Sequence, residues 1–223
     1  MTDYFGDALL RCVDSQKSEA YYQFWKEHGL SSTTIQHHHM LLQSVFRDAC
    51  KREIILRNPI EFVSKPKRQR PQANYYSEQE ARQLLEAVKG TKLELPVTLS
   101  LAYGLRRSEV LGLRWKDVDF EKQTMLVCHS VIEGVDDGKR VVCAKDTLKQ
   151  AASHRTLLLF EPILSLLQEE LERKKALRPV YVCSDRHGNV MKPDVVTHDF
   201  QKFLKENGLR HIRFHDLRQS CDS

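Results

Sequence analysis

The stretch AYGLRRSEVLGLRWKDVD, residues 102–119, combines a helix boundary with a concentration of charged side chains. Gly104 predicts the end of one helix, because glycine adopts the left-handed conformation that often terminates helices. The pattern then predicts a second helix from about Arg106 to Trp115. An arginine at a helix start lies where the backbone already favours a phosphate, and its guanidinium offers two parallel donors. Glu109, one turn later, is placed to orient Arg106.

A second informative stretch, IRFHDLRQS, occupies residues 212–220. His215 and Arg218 are three residues apart and share one helical face. A histidine can move a proton near neutral pH, and an arginine can hold a phosphate. Each stretch alone also has a plainer interpretation. The first would be a surface arginine on an amphipathic helix, and the second a hydrogen-bonded structural histidine.

The sequence around these stretches predicts a helix-rich unit with a small antiparallel sheet. Ser77 and Glu80 form the capping-box pattern that opens a helix over residues 78–88. Residues 124–133 and 140–144 are predicted to be strands joined by a turn at 136–138. The other predicted elements are a helix from Pro96 to Gly104, a strand at 154–160, and helices at 161–176, at 194–207 and from His215.

Residues 1–63 predict a small helical domain. Helices are expected at 17–27, ending near Gly29, and at 33–53, capped by Ser31 or Ser32. Asn58-Pro59 is expected to stop the second helix, because a residue before proline avoids helical geometry.

A basic linker with two prolines is predicted over residues 64–75, followed by a second domain at 76–223. Its basic side chains suit contact with DNA phosphates, and a linker that is merely solvated is the alternative. These residues are Lys65, Lys67, Arg68 and Arg70.

The tract His37-His38-His39 has the composition of a metal site but not its geometry. Consecutive residues on a helix point about 100° apart, so their side chains cannot converge on one ion. A solvated or DNA-facing helix surface is the better interpretation, with His38 as a DNA contact, and no metal is expected.

The bulk composition is that of an ordinary folded protein. The chain has 223 residues, 41% of them hydrophobic, with a net charge of +5 and a pI of about 8.8. A basic balance fits a nucleic-acid partner without establishing one. No apolar run approaches the ~20 residues that a membrane span requires, and no signal-peptide pattern opens the chain. A cytoplasmic protein with no membrane partner is therefore expected.

Taken together, the two charged stretches resemble the boxes of the tyrosine recombinase, or phage integrase, family. The family has its first arginine in a G-x-R-x-x-E box, which Arg106 and Glu109 match. Its second arginine lies in an H-x-L-R box, which His215 and Arg218 match about 110 residues later. The combination is far more specific than either box alone.

The family also has a lysine on a β-hairpin between the boxes, in a K-x-x-x-S-x-R-T context. The stretch KQAASHRTLLL, residues 149–159, places Lys149 at that position, with Ser153 and Arg155 matching the motif. Lys145 is the alternative, because the hairpin varies in length.

The resemblance implies a mainly α fold with a small antiparallel β-sheet. Residues 1–63 correspond to the family's helical, SAM-like core-binding domain, and residues 76–223 to its α+β catalytic domain. Both domains are expected to be incomplete, the first at its N-terminus and the second before the family's nucleophilic tyrosine.

The activity implied by the resemblance is site-specific recombination or integration of double-stranded DNA. Arg106 and Arg218 would bind the phosphate at the cleavage point and neutralise its growing charge. His215 would assist proton transfer, and Lys149 would protonate the leaving 5′-hydroxyl. In the family a tyrosine attacks the phosphorus and forms a covalent phosphotyrosine. No cofactor is expected, because the arginines supply the positive charge.

Two departures from the family pattern limit what this polypeptide is expected to do by itself. Gln219 stands where the family has a histidine, and all seven tyrosines precede the second box. We therefore expect a recombinase fragment that binds DNA weakly and does not cleave it. Two alternatives stay open: a degenerate recombinase that is only a DNA-binding module, and an unrelated α+β enzyme that binds a small phosphorylated ligand.

The expected setting is a bacterium or a phage-derived mobile genetic element. Family members assemble as tetramers on DNA, largely through C-terminal segments, so this chain is expected to be a monomer in solution. The side chains that would read bases are not identifiable, so no target site is predicted.

Overall fold

The computed structural model describes residues 2–65, 67, 74–136, 139–145 and 154–220. The chain divides into two compact units, residues 1–72 and 73–223, and each is described by itself. Within the described residues, none of the helices is both long enough and apolar enough to cross a membrane.

The first unit is helical. Its helices are α1 (Thr2–Phe5), α2 (Ser15–Glu27) and α3 (Ser32–Lys51), with 3₁₀ turns at Leu10–Cys12 and Pro59–Phe62. The Ser31 hydroxyl accepts the Thr34 N–H at 3.1 Å and caps α3, as predicted. However, α3 ends at Lys51, where the chain turns through Glu53 with a φ of 58°. The prediction that Asn58-Pro59 stops this helix is therefore wrong.

The histidine tract divides between surface and core. His37 is exposed, whereas Nδ1 of His38 lies 2.8 Å from the Tyr21 hydroxyl and Nδ1 of His39 lies 3.0 Å from the Tyr22 hydroxyl. Burial lowers the pKa of both His38 and His39. The prediction of a solvated surface is wrong for His39, because α3 turns this side chain toward α2 and leaves it 5% exposed.

The second unit combines helices with short strands. Its helices are α4 (Glu78–Val88), α5 (Glu94–Tyr103), α6 (Arg107–Gly112), α7 (Glu161–Lys174), α8 (Pro193–Glu206) and α9 (Leu217–Ser220). Its strands are β1 (Val118–Asp119), β2 (Thr124–Val127), β3 (Ser130–Asp136), β4 (Lys139–Lys145) and β5 (Arg155–Leu158). The core includes Leu84, Leu99, Leu167 and Phe200, which come from α4, α5, α7 and α8.

The start of α4 confirms the predicted capping box. The Ser77 hydroxyl accepts the Glu80 N–H at 3.4 Å, and Glu80 Oε2 accepts the Ser77 N–H at 2.8 Å. The next helix, α5, begins at Glu94 rather than at the predicted Pro96. A proline is tolerated in the first turn, because amides there have no intrahelical acceptor to lose.

The strands form two separate antiparallel sheets, in the orders β1-β2-β5 and β3-β4. The prediction of one strand over residues 124–133 is wrong, because β2 ends at Val127 and β3 begins a different sheet at Ser130. Asp136 pairs opposite Lys139, which confirms the predicted hairpin. The predicted strand near 154–160 is present as β5.

Helix α6 packs its last residue, Gly112, directly on the start of β3. A Cβ at this position would meet the Ser130 Cα at 2.6 Å and the His129 carbonyl oxygen at 2.7 Å. The helix ends there, before the predicted end at Trp115, which instead opens a 3₁₀ turn. The β3-β4 hairpin is thus attached to α6 by a contact between backbones.

Replacing Gly112 with alanine should destabilise the second unit by about 1–3 kcal/mol, because the new methyl group has no space against the β3 backbone. Urea denaturation followed by circular dichroism measures this loss. Gly134→Ala is the matched control, since its methyl would meet the Cys143 sulfur at 3.0 Å, a side-chain contact that can adjust. Equal losses in the two variants would contradict a tight contact between α6 and β3.

Candidate phosphate-binding site

Helix α5 leads directly into the first predicted arginine. Gly104 ends α5 in the left-handed region, with a φ of 59° and a ψ of 30°. Two residues later, the carbonyl of Arg106 accepts the Glu109 and Val110 N–H groups at 2.9 and 3.0 Å. Arg106 is therefore the N-cap residue of α6, separated from α5 by the turn that the glycine permits.

The carboxylate of Glu109 is buried and holds Arg106 at two points. Its Oε2 accepts the Arg106 backbone N–H at 3.0 Å, and its Oε1 accepts the guanidinium Nη1 at 2.8 Å. The Glu109 side chain is 1% exposed, whereas that of Arg106 is 49% exposed. A guanidinium carries five N–H donors, so the exposed part of Arg106 retains donors for a second anion.

Arg155, at the start of β5, also binds Glu109. Its Nη2 donates to Glu109 Oε2 at 2.9 Å, and its side chain is 30% exposed. The sequence placed Arg155 in a motif without assigning it a role, because 46 residues separate it from Glu109 and no local signal pairs them. The one carboxylate of Glu109 thus binds two guanidinium groups.

The protonation state of Glu109 follows from two opposing effects. Burial acts to raise the pKa of Glu109, because a carboxylate loses water when it is enclosed. Hydrogen bonds from Arg155 and Arg106 outweigh burial, and the pKa of Glu109 lies below its ordinary value. The carboxylate is therefore ionised at neutral pH and holds both guanidinium groups.

The second box lies on a tightly capped turn. Asp216 Oδ2 accepts the Arg213 backbone N–H at 2.9 Å, and Oδ1 accepts Arg213 Nη2 at 2.7 Å. The Asp216 side chain is 1% exposed. This pairing fixes the 3₁₀ turn Phe214–Asp216, on which His215 is exposed, and leads into α9, on which Arg218 is half-buried.

Helix α5 supports both boxes. Arg106 follows the end of α5 in the chain, and α9, which carries Arg218, packs against α5. The positions of the two arginines therefore depend on the same helix.

The two candidate lysines, Lys145 and Lys149, lie at and just after the end of the β3-β4 hairpin in the sequence. Lys149 lies outside the described residues, so its position stays a prediction. Lys145 ends β4, and its backbone pairs opposite Ser130. Since Ser130 lies against Gly112, the base of the hairpin is attached to the helix that begins beside Arg106.

The other predicted DNA contacts belong to the first unit. Lys65 and Lys67 are exposed, whereas Arg68 and Arg70 lie outside the described residues. His38 is half-buried and shares a hydrogen bond with a tyrosine of α2. In the part of the chain that the structure describes, no group of His, Cys, Asp and Glu side chains is arranged to hold a metal ion.

Comparisons with known proteins identify one family. The profile of the Phage integrase family matches residues 74–223. A tyrosine recombinase XerC-like protein of Caldanaerobacter subterraneus is 24% identical over 230 residues, which cover 93% of this chain and 59% of that protein. The ICEBs1 integrase of Bacillus subtilis is 24% identical over 231 residues, which cover 99% of this chain and 61% of the relative. The chain thus spans about three fifths of the length of these two relatives.

Solved structures share the fold. The Tn1549 transposon integrase in complex with transposon right end DNA has a TM-score of 0.79 at 20% identity, covering 97% of this chain and 73% of that one. A lambda integrase dimer bound to a COC′ core site has a TM-score of 0.72 at 16% identity, covering 98% of this chain and 76% of that one. The mainly helical fold with small antiparallel sheets is therefore that of integrases.

Replacing Glu109 with glutamine should lower the free energy of unfolding by about 3 kcal/mol at neutral pH, because two guanidinium groups lose a buried partner charge. The pKa of Glu109 is depressed in the folded state from its ordinary value of 4.5. Its stabilising effect is therefore complete above that value and declines as the pH falls through the folded-state pKa. The difference between wild type and Glu109→Gln should shrink accordingly in acid.

Urea denaturation at a series of pH values measures this difference directly. Glu86→Gln is the matched control, because Glu86 pairs with Lys89 on an exposed helix surface and should change stability by less than about 0.5 kcal/mol. If the loss of unfolding free energy in Glu109→Gln stayed constant down to acid pH, the charge of Glu109 would not explain it, and the shape of the side chain would.

Proposed function

The chain belongs to the phage integrase family, and on that premise we propose that it binds double-stranded DNA as part of a site-specific recombination or integration reaction. The observation that carries this proposal is the half-exposed guanidinium of Arg106, held by the buried carboxylate of Glu109. A guanidinium fixed in this way is already oriented for a backbone phosphate and loses little freedom on binding it.

The second arginine contributes to the same phosphate in this proposal. Arg218 lies on α9, which packs on the helix that leads into Arg106. Two guanidinium groups on one phosphate would neutralise the charge that builds as the phosphorus is attacked. His215 is exposed beside Arg218, where it would assist proton transfer.

The remaining roles rest on the family resemblance. Lys149 would protonate the leaving 5′-hydroxyl, with Lys145 as the alternative. The basic linker that joins the predicted domains 1–63 and 76–223 in the sequence would contact DNA phosphates through Lys65, Lys67, Arg68 and Arg70. His38 would contact DNA from the first domain. This reaction would take place in the cytoplasm of a bacterium, without a cofactor.

We further propose that this polypeptide binds DNA by itself without cleaving it. Each of its seven tyrosines precedes the second box, whereas the family's nucleophile follows it. It would be a monomer in solution.

Arg218→Ala should weaken binding to a fluorescein-labelled duplex of random sequence by about tenfold, because a charged hydrogen bond to phosphate is lost. It should also lower the dependence of log affinity on log salt by about 0.9, the contribution of one phosphate contact. Arg106→Lys keeps the charge and should leave this slope unchanged while weakening binding, since lysine lacks the planar fork. Fluorescence anisotropy over a salt series measures both quantities.

The matched control is Arg82→Ala, which removes one positive charge from an exposed pair with Glu78 on α4. Circular dichroism would confirm that each variant is folded. Two results would contradict a phosphate site at Arg218. One is a duplex affinity that does not change with salt concentration, and the other is an equal loss of affinity in Arg82→Ala and Arg218→Ala. A chain that bound no duplex even at low salt would favour a small phosphorylated ligand in place of DNA.

A nicked suicide duplex, which traps a phosphotyrosine by releasing the short strand, should yield no covalent adduct with this polypeptide. Denaturing electrophoresis of labelled DNA detects such an adduct. The proposal of binding without cleavage would be overturned by an adduct that disappears when one particular tyrosine is changed to phenylalanine.

A further inference from the structure

Arg210, which lies just before the second box, is bound by residues 74–80, which run from the end of the basic linker into α4. Its Nε and Nη2 donate to the two carboxylate oxygens of Glu80 at 2.5 and 3.0 Å. Nη2 also donates to the Tyr75 carbonyl at 2.7 Å, and Nη1 donates to the Asn74 side-chain oxygen. The guanidinium thus joins three residues that lie more than 100 positions earlier in the chain.

Tyr76 adds two further contacts to the same residue. The Arg210 guanidinium carbon lies 5.0 Å from the centre of the Tyr76 ring, within the range of a cation–π interaction. The Tyr76 hydroxyl donates to the Arg210 carbonyl at 2.5 Å. Since Tyr76 is 1% exposed, its ring is a fixed part of the core against which Arg210 lies.

The same segment also holds the far end of the second box. The Tyr76 backbone N–H donates to the Ser220 hydroxyl oxygen at 2.9 Å, and this hydroxyl donates to the Asp216 carbonyl at 3.2 Å. The Asn74 amide donates to the His211 carbonyl at 3.2 Å. Residues 74–80 are therefore hydrogen-bonded to both ends of the segment 210–220, at Arg210 and at Ser220. His215 and Arg218 lie between these two points.

The segment 210–220 is held by all of these contacts together and not by the Arg210–Glu80 ion pair alone. The Arg210 and Glu80 side chains are 44% and 32% exposed, and an isolated pair so exposed contributes little. Hydrogen bonds from Arg210 and from Ser77 hold the pKa of Glu80 at about 2, so the carboxylate is ionised at every physiological pH. Glu80 also caps α4, which ties the network to a helix.

We propose that Arg210 is a positioning residue for the second box: it fixes, through Glu80 and Tyr76, the segment that presents His215 and Arg218 to a phosphate. Asn74 and Tyr75 are the last two residues of the predicted basic linker, so these contacts also connect the linker to the second box. The inference rests on the proposed function, because it requires Arg218 to bind a DNA phosphate.

A purely structural role for Arg210 makes a different prediction. A variant that only destabilised the second unit would weaken DNA binding to the same degree whether or not Arg218 were present. A variant that displaced Arg218 would lose its effect once Arg218 had been removed. A double-mutant cycle separates these two cases.

The experiment measures duplex affinity for wild type, Arg210→Gln, Arg218→Ala and the double variant, by fluorescence anisotropy at one salt concentration. Arg210→Gln should weaken binding about fivefold in the wild-type background and less than about twofold in the Arg218→Ala background. Arg210→Lys should behave like Arg210→Gln, because it keeps the charge but cannot bridge Glu80 and Tyr75. Tyr76→Phe, which removes only the hydroxyl donor, is the second variant and should show the same background dependence.

The possible outcomes are distinguishable. If Arg218→Ala leaves affinity unchanged, the proposed function fails at this residue. If Arg218→Ala weakens binding but Arg210→Gln and Tyr76→Phe act equally in both backgrounds, only the positioning role is overturned. Full rescue by Arg210→Lys would also overturn it, because charge alone would then explain the effect. Arg82→Gln, an equal loss of charge at an exposed pair, is the control and should act equally in both backgrounds.

Discussion

The buried carboxylate of Glu109 lies between the guanidinium groups of Arg106 and Arg155. An ionised carboxylate in this position costs several kcal/mol unless both of its oxygens are hydrogen-bonded. Folding therefore brings the start of α6 and the start of β5 together at one point. The interaction that satisfies the buried charge is also the one that orients Arg106, so the stability of the unit and the geometry of the site share a cause.

Helix α5 extends this constraint to the rest of the site. Gly104 lets the chain leave α5 and enter α6 within a few residues, while α9 packs on the body of α5. The β3-β4 hairpin joins the same assembly where Gly112 meets Ser130. Arg106 and Arg218 thus lie on short segments that are both attached to α5. Phosphoryl chemistry depends on such fixed positive charges more than on any single group.

Local signals predicted the elements whose ends are set by neighbouring residues. The capping box at Ser77 and the left-handed turn at Gly104 fall in this class, because cap and partner lie within a few positions. Residues 124–133 were misread as one strand, since an apolar run does not show where the chain crosses from one sheet to another. His39 was misread as solvated, because its burial depends on Tyr22 from a different helix.

The amino-acid sequence alone is enough to identify two arginine boxes, their acidic and histidine partners, and the integrase family to which they belong. The pairing of Arg155 with Glu109, and the contacts of residues 74–80 with both ends of residues 210–220, became visible only in the folded chain. These pairs are separated by 46 to 144 positions. A buried charge accepts whatever partner the packing of the whole unit brings within hydrogen-bond distance, and spacing along the chain does not encode that choice.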